Sequence, residues 1–295
     1  MLSRRKFVAS SAGLLGVSAF LRPDTFASTP AAADMTIQQV MDLIWKSVPG
    51  APFKETVDTV KSGDPGQKVT GIVTTMFATV EVIRKAIALK ANFIIAHEPT
   101  FYNHQDQTDW LAGDSVFQGK KELLDKHKIV VWRFHDGHHA LRPDGVLMGF
   151  LQKIGWEKYY DVSNPYVIKL PGIPVRDVIN QAKTGLGLKS VRVVGDLSQS
   201  CERVSVLPGA WGGRNQIGAL MREKPDLILC GEVSEWETAE YIRDARALGE
   251  KRTLVILGHA LSEEPGSWWM VNWLQPQIPA VKMTHVPSNE PFQWV

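Results

Sequence analysis

Apolar runs and amphipathic segments alternate along most of the chain. From residue 35 onward, strand-like apolar runs are followed by segments whose apolar positions recur every three or four residues. The runs predict strands at 69–75, 93–96, 129–132, 204–207, 227–230 and 254–257. The amphipathic segments predict helices after Thr36, over 79–90, around Leu123 and over 146–154, 216–223 and 238–248. This alternation is typical of an α/β fold with mostly parallel strands.

The second half of the chain repeats the order of the first half. The separation between Gly71 and His97 equals that between Ser205 and Gly231. We therefore predict two related lobes, 34–165 and 166–295, with a Pro-Gly-Ile-Pro segment just after the boundary. A pattern match of this kind can also arise by chance.

The first 33 residues have the features of a twin-arginine signal peptide. Arg4 and Arg5 precede a mildly apolar stretch over 8–21. That stretch contains Gly and Ser and is too short to span a bilayer as a stable helix. Cleavage after Ala27 or after Ala33 stays open. The pattern predicts a periplasmic or exported protein, and because this route carries folded proteins, a metal site loaded before export is worth seeking.

Charge and composition narrow the classes of function. The 295 residues include 44% hydrophobic and 22% charged side chains and carry a net charge of +2. The N-terminal segment accounts for all of that excess, so the remaining body is nearly neutral. Such a body lacks the basic surface that nucleic acid or an anionic membrane requires, and we expect neither as a partner. Cys201 and Cys230 are too few for a cysteine zinc site; they predict buried thiols or one disulfide.

Histidines collect at the carboxyl ends of predicted strands, the edge at which parallel α/β sheets bind ligands. The five concerned are His97, His135, His138, His139 and His259. Imidazole and carboxylate together suit Zn, Mn or Fe. We therefore predict that a metal site includes His97, Glu98, His139, His259 and Glu263.

Several histidines are not assigned to this site by the pattern. Whether His135 or His138 joins it stays open. His104, His127 and His285 follow no pattern and are expected to be structural.

Three segments resemble the motifs of one protein family. Residues 93–101, FIIAHEPTF, resemble a strand ending in Ile-Val-His-His-Pro-Leu-Phe. Residues 258–263, GHALSE, resemble Gly-His-x-x-x-Glu, and residues 226–232, DLILCGE, resemble a strand leading to Thr-Gly-Glu. From about residue 36 to its end, the chain is similar to the Nif-three-like dinuclear metal-centre proteins, also called GTP cyclohydrolase type-two-like. The resemblance implies a two-lobed α/β fold, two divalent ions per chain and a ring-shaped hexamer.

The chain departs from this family at two candidate ligands. Glu98 stands where the family motif has a second histidine, and His139 stands where the family has an aspartate. The set still contains three imidazoles and two carboxylates, which predicts a rearranged site. Glu263 lies four residues after His259 and corresponds to a metal ligand of the family, so we expect it to bridge two ions.

Two further features are candidates for binding or catalysis. Gly212, Gly213 and Arg214 lie between a predicted strand and helix, where backbone N–H groups could bind an anionic cofactor. The spacing of a nucleotide-binding loop is missing, so a tight turn is the alternative. Glu232, just beyond a strand, is a candidate catalytic proton carrier or a partner of a metal ligand. An exposed carboxylate without a role is the other interpretation.

The sequence therefore predicts a metal-dependent hydrolase of unknown substrate. Two ions lower the pKa of a water held between them, which creates a nucleophile. The resemblance implies nucleotide ring opening, but an exported protein rarely meets GTP, which favours a small ester, amide or phosphoester. The alternative is a non-catalytic metal carrier or scaffold.

Trp268, Trp269 and Trp273 have helical spacing, which predicts core or subunit-interface positions. An aromatic platform for a substrate is the alternative.

Overall fold

Two five-stranded sheets organise residues 34–295, which are the residues that the computed structural model describes. The strands in chain order are β1 (Val60–Ser62), β2 (Ile72–Thr75), β3 (Phe93–Ala96), β4 (Val130–Arg133), β5 (Val167–Pro174), β6 (Arg192–Val194), β7 (Ser200–Leu207), β8 (Leu227–Cys230), β9 (Thr253–Ile256) and β10 (Met283–His285). The predicted twin-arginine segment lies outside the described residues, and export stays a prediction. Within the described range, no helix has both the length and the hydropathy of a membrane span.

Nine α-helices connect or cover these strands in the described part of the chain. They are α1 (Ile37–Lys46), α2 (Val80–Ala88), α3 (Ser115–Lys126), α4 (Asp136–Ala140), α5 (Gly145–Ile154), α6 (Val175–Leu186), α7 (Gly213–Glu223), α8 (Glu240–Ala247) and α9 (His259–Leu274). A π-helical turn, Glu235–Ala239, precedes α8. Helix α1 begins where the sequence predicts, because Thr36 and Gln39 form a capping box.

Each sheet has three parallel strands at its centre. The first sheet has the order β1-β4-β3-β2-β10, and only β1 is antiparallel to its neighbour. The second has the order β5-β7-β8-β9-β6, with antiparallel strands at both edges. The runs β2-α2-β3-α3-β4 and β7-α7-β8-α8-β9 share one order, as the sequence predicts. The α/β fold with mostly parallel strands is confirmed.

Helices cover both faces of each sheet, which is why the central strands are buried throughout. In the first sheet, α1 and α9 pack on one face and α2 and α3 on the other. In the second sheet, α5 and α6 cover one face and α7 and α8 the other. Trp269 packs against the core beneath α5 and also against the core beneath α1, in agreement with the predicted core position.

Some elements were not predicted by the hydrophobic pattern. Strands β1, β6 and β10 have three residues each, too few to show an alternation. The Pro-Gly-Ile-Pro segment is the end of β5, at the edge of its sheet, where proline is tolerated. Strand β10 pairs with β2. A division between residues 165 and 166 therefore leaves one strand of the first sheet in the second segment.

Helices α5 and α9 approach each other closely and join the two halves of the chain. A Cβ atom at Gly149 would lie 2.3 Å from the carbonyl oxygen of Pro265, so only glycine permits this spacing. This contact and the approach of Gly266 to Val146 hold the N-terminal half of α9 beside that of α5. Both of these helix ends carry side chains of the candidate site.

A buried aspartate outside the predicted elements positions the histidine-bearing helix α4. Oδ1 of Asp58 accepts hydrogen bonds from the backbone N–H groups of His135 and Asp136 at 2.7 and 2.9 Å. Oδ2 accepts one from Gly137 at 2.7 Å. These are the N–H groups that a helix start leaves without intrahelical partners. Asp58 therefore fixes where α4 begins.

We expect Asp58→Ala to lower the free energy of unfolding of the metal-free protein by about 2–4 kcal/mol, because three backbone N–H groups at a helix start lose their carboxylate acceptor. Asp196→Ala is the matched control, since Asp196 caps an exposed turn at Ser198. That control should change stability by less than about 0.5 kcal/mol. Urea unfolding followed by circular dichroism measures both, and equal stabilities of the two variants would contradict the role of Asp58.

Candidate metal centre

The carboxyl ends of strands from both sheets meet at one cluster of side chains. His97 and Glu98 follow β3, and His135 follows β4 by one residue. His139 lies on α4, while His259 and Glu263 lie on the first turns of α9, just after β9. The ring centroid of His97 is 4.7 Å from that of His135 and 5.1 Å from that of His139. The predicted ligand-binding edge is therefore formed jointly by the two sheets.

Two groups of side chains within this cluster could each hold a metal ion. One consists of His97, His135 and His139, and the other of His97, Glu98 and Glu263. Within each group, the candidate ligand atoms all lie within 4.8 Å of one another. Ligands of a tetrahedral ion with bonds of about 2.1 Å are separated by about 3.4 Å, so small movements would bring these atoms to coordination distance.

Glu263 connects the two groups through its two carboxylate oxygens. Oε2 lies 3.0 Å from Nε2 of His259 and 3.6 Å from Nε2 of His97. Oε1 lies 3.8 Å from Nε2 of His139. Since each oxygen faces different imidazoles, the carboxylate has the arrangement of a bridging ligand. A Cβ atom at Gly209, where φ is +74°, would lie within 3 Å of this carboxylate, so glycine leaves it room.

Every imidazole of the cluster has its Nδ1 atom beside an oxygen and its Nε2 atom near a carboxylate of the cluster. The Nδ1 partners are Phe134 O for His97 at 3.3 Å, Asp136 Oδ1 for His135 at 2.9 Å, Asp144 Oδ2 for His139 at 3.0 Å and Glu232 Oε2 for His259 at 3.3 Å. Metal-bound histidines are oriented in this way. Nε2 of His97 is buried without a hydrogen-bond partner among the described residues, as expected of a donor meant for an ion.

Glu98 offers the cluster one carboxylate oxygen. Oε2 is 3.1 Å from the guanidinium of Arg133, a side chain that is wholly buried. Oε1 is 3.2 Å from Nε2 of His259 and 3.7 Å from Nε2 of His135. Burial raises the pKa of Glu98, but the hydrogen bond to His259 and the charges of His259, His135 and Arg133 outweigh it and leave the pKa below its usual value.

His139 is held by a carboxylate that a second side chain also binds. Asp144 Oδ2 contacts Nδ1 of His139 and accepts a hydrogen bond of 2.6 Å from the Tyr166 hydroxyl. Asp144 Oδ1 accepts backbone N–H groups at the start of α5. Burial lowers the pKa of His139, but the Asp144 carboxylate outweighs it and raises the pKa to about 9.

Protons balance the buried carboxylates of the cluster in the chain without bound ions. Burial lowers the pKa of His259, but hydrogen bonds to Glu232, Glu263 and Glu98 raise it to about 12. Burial, followed by the charges of the neighbouring histidines, brings the pKa of His97 well below its usual value. A dication that binds here would replace the protons on His259 and His139.

The structure brings together all five predicted ligands, and it adds His135. The sequence left His135 and His138 as alternatives. His138 belongs to neither group and packs near the rings of Phe134 and Trp269, at centroid distances of 5.7 and 6.1 Å. Burial lowers its pKa to about 3. Among the described residues, its Nε2 atom is buried without a partner.

The remaining predicted site residues lie outside the cluster. Glu232 contacts Nδ1 of His259 from the far side, with 54% of its side chain exposed. Gly212 precedes α7, and a Cβ atom at Gly213 would meet the side chain of Glu237. Neither glycine lines the main cavity, and nor does Arg214. One of the glycines that were predicted to bind an anion, Gly213, therefore lies beside the carboxylate of Glu237.

A cavity of about 1310 Å³ opens onto the cluster. Glu98, His135, His139, His259 and Glu263 form part of its wall, and other parts carry Tyr102, Lys120, Tyr166 and Trp211. The segment 208–215, which contains Gly212 and Gly213, contributes Pro208, Ala210, Trp211 and Asn215 to the wall. His104, predicted to be structural, also lines this cavity.

Cys201 and Cys230 are buried free thiols, so they do not form the disulfide that the sequence left as an alternative.

Comparisons with known proteins place the chain in a family. The chain is 24% identical over 245 residues to a GTP cyclohydrolase 1 type 2 homolog of Clostridium perfringens, which covers 78% of this chain and 88% of the relative. The crystal structure of a Bacillus cereus protein related to NIF3 superposes with a TM-score of 0.70 at 16% identity, over 89% of this chain and 99% of that one. Reduced HcgD from Methanocaldococcus jannaschii gives a TM-score of 0.62 at 17% identity, over 85% and 98%. The family model Duf34/NIF3 (NGG1p interacting factor 3) matches residues 35–291, so the chain belongs to the Duf34/NIF3 family.

Proposed function

We propose that this protein is a divalent-metal-dependent hydrolase with a dinuclear centre at the cluster. The observation that carries the proposal is the placement of Glu263, whose two oxygens face separate imidazoles within a buried site. Nε2 of His97, buried without a partner among the described residues, supports the same conclusion. Imidazole and carboxylate donors fit Zn, Mn or Fe.

One proposed ion takes the first group of side chains, and the other takes the two carboxylates of the second group together with His259, whose Nε2 atom lies beside both of them. His97, His135 and His139 would hold one ion, and Glu98 and His259 the other, with Glu263 between them. Bound ions of this kind act as Lewis acids and activate water at neutral pH. Six donors shared between two ions make each ligand necessary for full occupancy.

The other side chains of the site bind, orient and move protons. Arg133 fixes Glu98 so that one oxygen faces the cluster, and Asp144 fixes the ring of His139. Glu232 orients His259 and, being half exposed, can pass a proton between the site and solvent. Tyr166 and Trp211 line the cavity, where their rings would cover part of a bound substrate.

The substrate that we propose is a small ester, amide or phosphoester. The curated relative carries the name of a cyclohydrolase homolog, which keeps a nucleotide ring among the candidates. The export predicted from the N-terminal segment favours a substrate found outside the cytoplasm. The exported location and the hexameric ring are part of this proposal.

A metal carrier is the second candidate, and the number of donors favours it. Six side chains, with Glu263 counted for both ions, would fill seven of the eight positions of two four-coordinate ions, so nearly all of the coordination would come from the protein. A catalytic site instead keeps an open position, and the cavity beside the cluster provides room for one.

We expect Glu98→Ala and His139→Ala each to lower the bound metal from about two ions per chain towards one or none, because the remaining donors cannot satisfy two dications. His127→Ala is the control, since His127 is exposed at the end of α3, outside both ligand groups. His104→Ala should also keep its metal. Mass spectrometry of the purified proteins gives the metal content. Full occupancy in both ligand variants would contradict the exchanged ligand set.

We expect the metal-loaded protein to hydrolyse members of a panel of small esters, amides and phosphoesters, and the chelator-treated protein to hydrolyse none. Glu263→Gln should reduce kcat by about 100-fold or more, because it loses the bridging charge. His127→Ala should match the unsubstituted protein. A protein that binds both ions tightly and is inactive across the panel would refute the hydrolase and favour the carrier.

A further inference from the structure

One buried cation on the cavity wall has no role in the proposed metal centre. Lys120 lies on α3, its residue is only 5% exposed, and it lines the cavity together with Glu98 and His135. Its Nζ donates one hydrogen bond of 2.6 Å to the carbonyl oxygen of Thr100. An ammonium has three N–H donors, so two of them have no acceptor from the described residues.

No carboxylate in the described range lies within salt-bridge distance of Lys120. The acidic residue whose charge most affects it, Asp106, is already committed elsewhere. Asp106 Oδ2 lies 3.2 Å from Nζ of Lys61 and 3.7 Å from the Arg133 guanidinium. Buried charges in proteins are usually paired, so a lysine without a pair on a cavity wall calls for an explanation.

The wall that carries this ammonium is held in place. Oδ1 of Asp106 accepts the backbone N–H groups of Thr100 and Phe101 at 2.7 and 2.8 Å. The rings of Phe101 and Tyr102 lie 5.6 and 5.3 Å from Nζ, on the ammonium's flanks. A positioned ammonium with free N–H groups is preorganised to bind an anion, because little ordering is left to the binding step.

Among the described residues that line this cavity, Lys120 is also the only lysine or arginine. Burial lowers its pKa to about 8, so the side chain is mostly protonated at neutral pH. A metal ion bound at the cluster and the Lys120 ammonium would therefore present two separate positive charges to one bound molecule.

We propose that Lys120 binds the compact oxyanion of a substrate, a carboxylate or a phosphate, while the bond to be hydrolysed lies at the metal centre. The substrate class is then a small anionic ester, amide or phosphoester. This assignment of a substrate rests on the proposed hydrolase function. The binding of an oxyanion by Lys120 does not rest on the hydrolase function. It can be measured in the protein without bound metal.

The test is calorimetric titration of the metal-free full chain with inorganic phosphate and, separately, with acetate at pH 7. We expect the protein to bind at least one of the two anions, and the anion that binds identifies the oxyanion. Lys120→Met should weaken that binding by about tenfold or more, and Lys120→Arg should retain it. Lys121→Met is the matched control, because Lys121 is the next residue on α3, is exposed and pairs with Asp125. Absence of binding, or equal binding by Lys120→Met and the unsubstituted chain, overturns the proposal.

A second measurement needs no substitution and so does not depend on the folding of a variant. Brief acetylation of the unsubstituted protein, followed by peptide mass spectrometry, should modify Lys120 more slowly when the bound anion is present. The rate at Lys121 should not change. Equal rates at Lys120 with and without the anion overturn the proposal.

The outcomes separate this inference from the proposed function. Loss of anion binding in Lys120→Met together with an inactive metal-loaded protein supports the anion site and refutes the hydrolase. Hydrolysis by the metal-loaded protein together with unchanged anion binding in Lys120→Met supports the hydrolase and refutes the anion site.

Discussion

A buried carboxylate surrounded by imidazoles is the constraint on which the rest of this structure depends. Glu263 is 3% exposed and lies within 4 Å of ring nitrogens from three histidines, of which one follows β3 and the others lie on α4 and α9. An isolated carboxylate at such a depth is strongly unfavourable, so its environment must supply positive charge. Protons on the imidazoles supply it in the chain without ions, and the proposed metal ions would supply more of it. Side chains that follow strands of both sheets lie around this carboxylate.

The two candidate ligands that differ from the family motif, Glu98 and His139, each contact a side chain of opposite charge. Glu98 has the buried Arg133 behind it, and His139 has Asp144. Asp144 in turn binds Tyr166, which immediately precedes β5 and so connects the second sheet to a ligand on α4. A carboxylate in place of an imidazole needs a cation, and an imidazole in place of a carboxylate needs an acceptor for its second nitrogen. Each of the two exchanged side chains therefore has the partner that it would need as a metal ligand, and the rearranged site stays a prediction.

Much of the site was predictable because parallel strands end at a common edge. That rule alone gathers His97, Glu98 and His259, and the spacing of His259 and Glu263 adds a neighbour one helical turn away. His135 and His139 are also four residues apart, whereas His138 does not have this spacing to either of them. This signal could have assigned His135 to the metal site. Gly212 and Gly213 suggested an anion site, but the π-helical turn that brings Glu237 against Gly213 has no recognisable sequence signal.

The supporting residues were not predictable, for physical reasons. Asp58, Arg133 and Lys120 act through contacts across long stretches of sequence, and a single charged residue in a loop, strand or helix carries no periodicity. Buried polar side chains are identified only when the surrounding packing is known. The core of the fold, by contrast, follows from local patterns: a buried central strand such as β3 is apolar at every position.

Anomalous diffraction from crystals of the metal-loaded protein tests the central claim most directly. Data collected on both sides of the metal absorption edge locate each bound ion independently of any assumed ligand. The account predicts two anomalous peaks per chain, one on each side of the Glu263 carboxylate and both within coordination distance of ring nitrogens. A single peak, or peaks located away from Glu263, would contradict it.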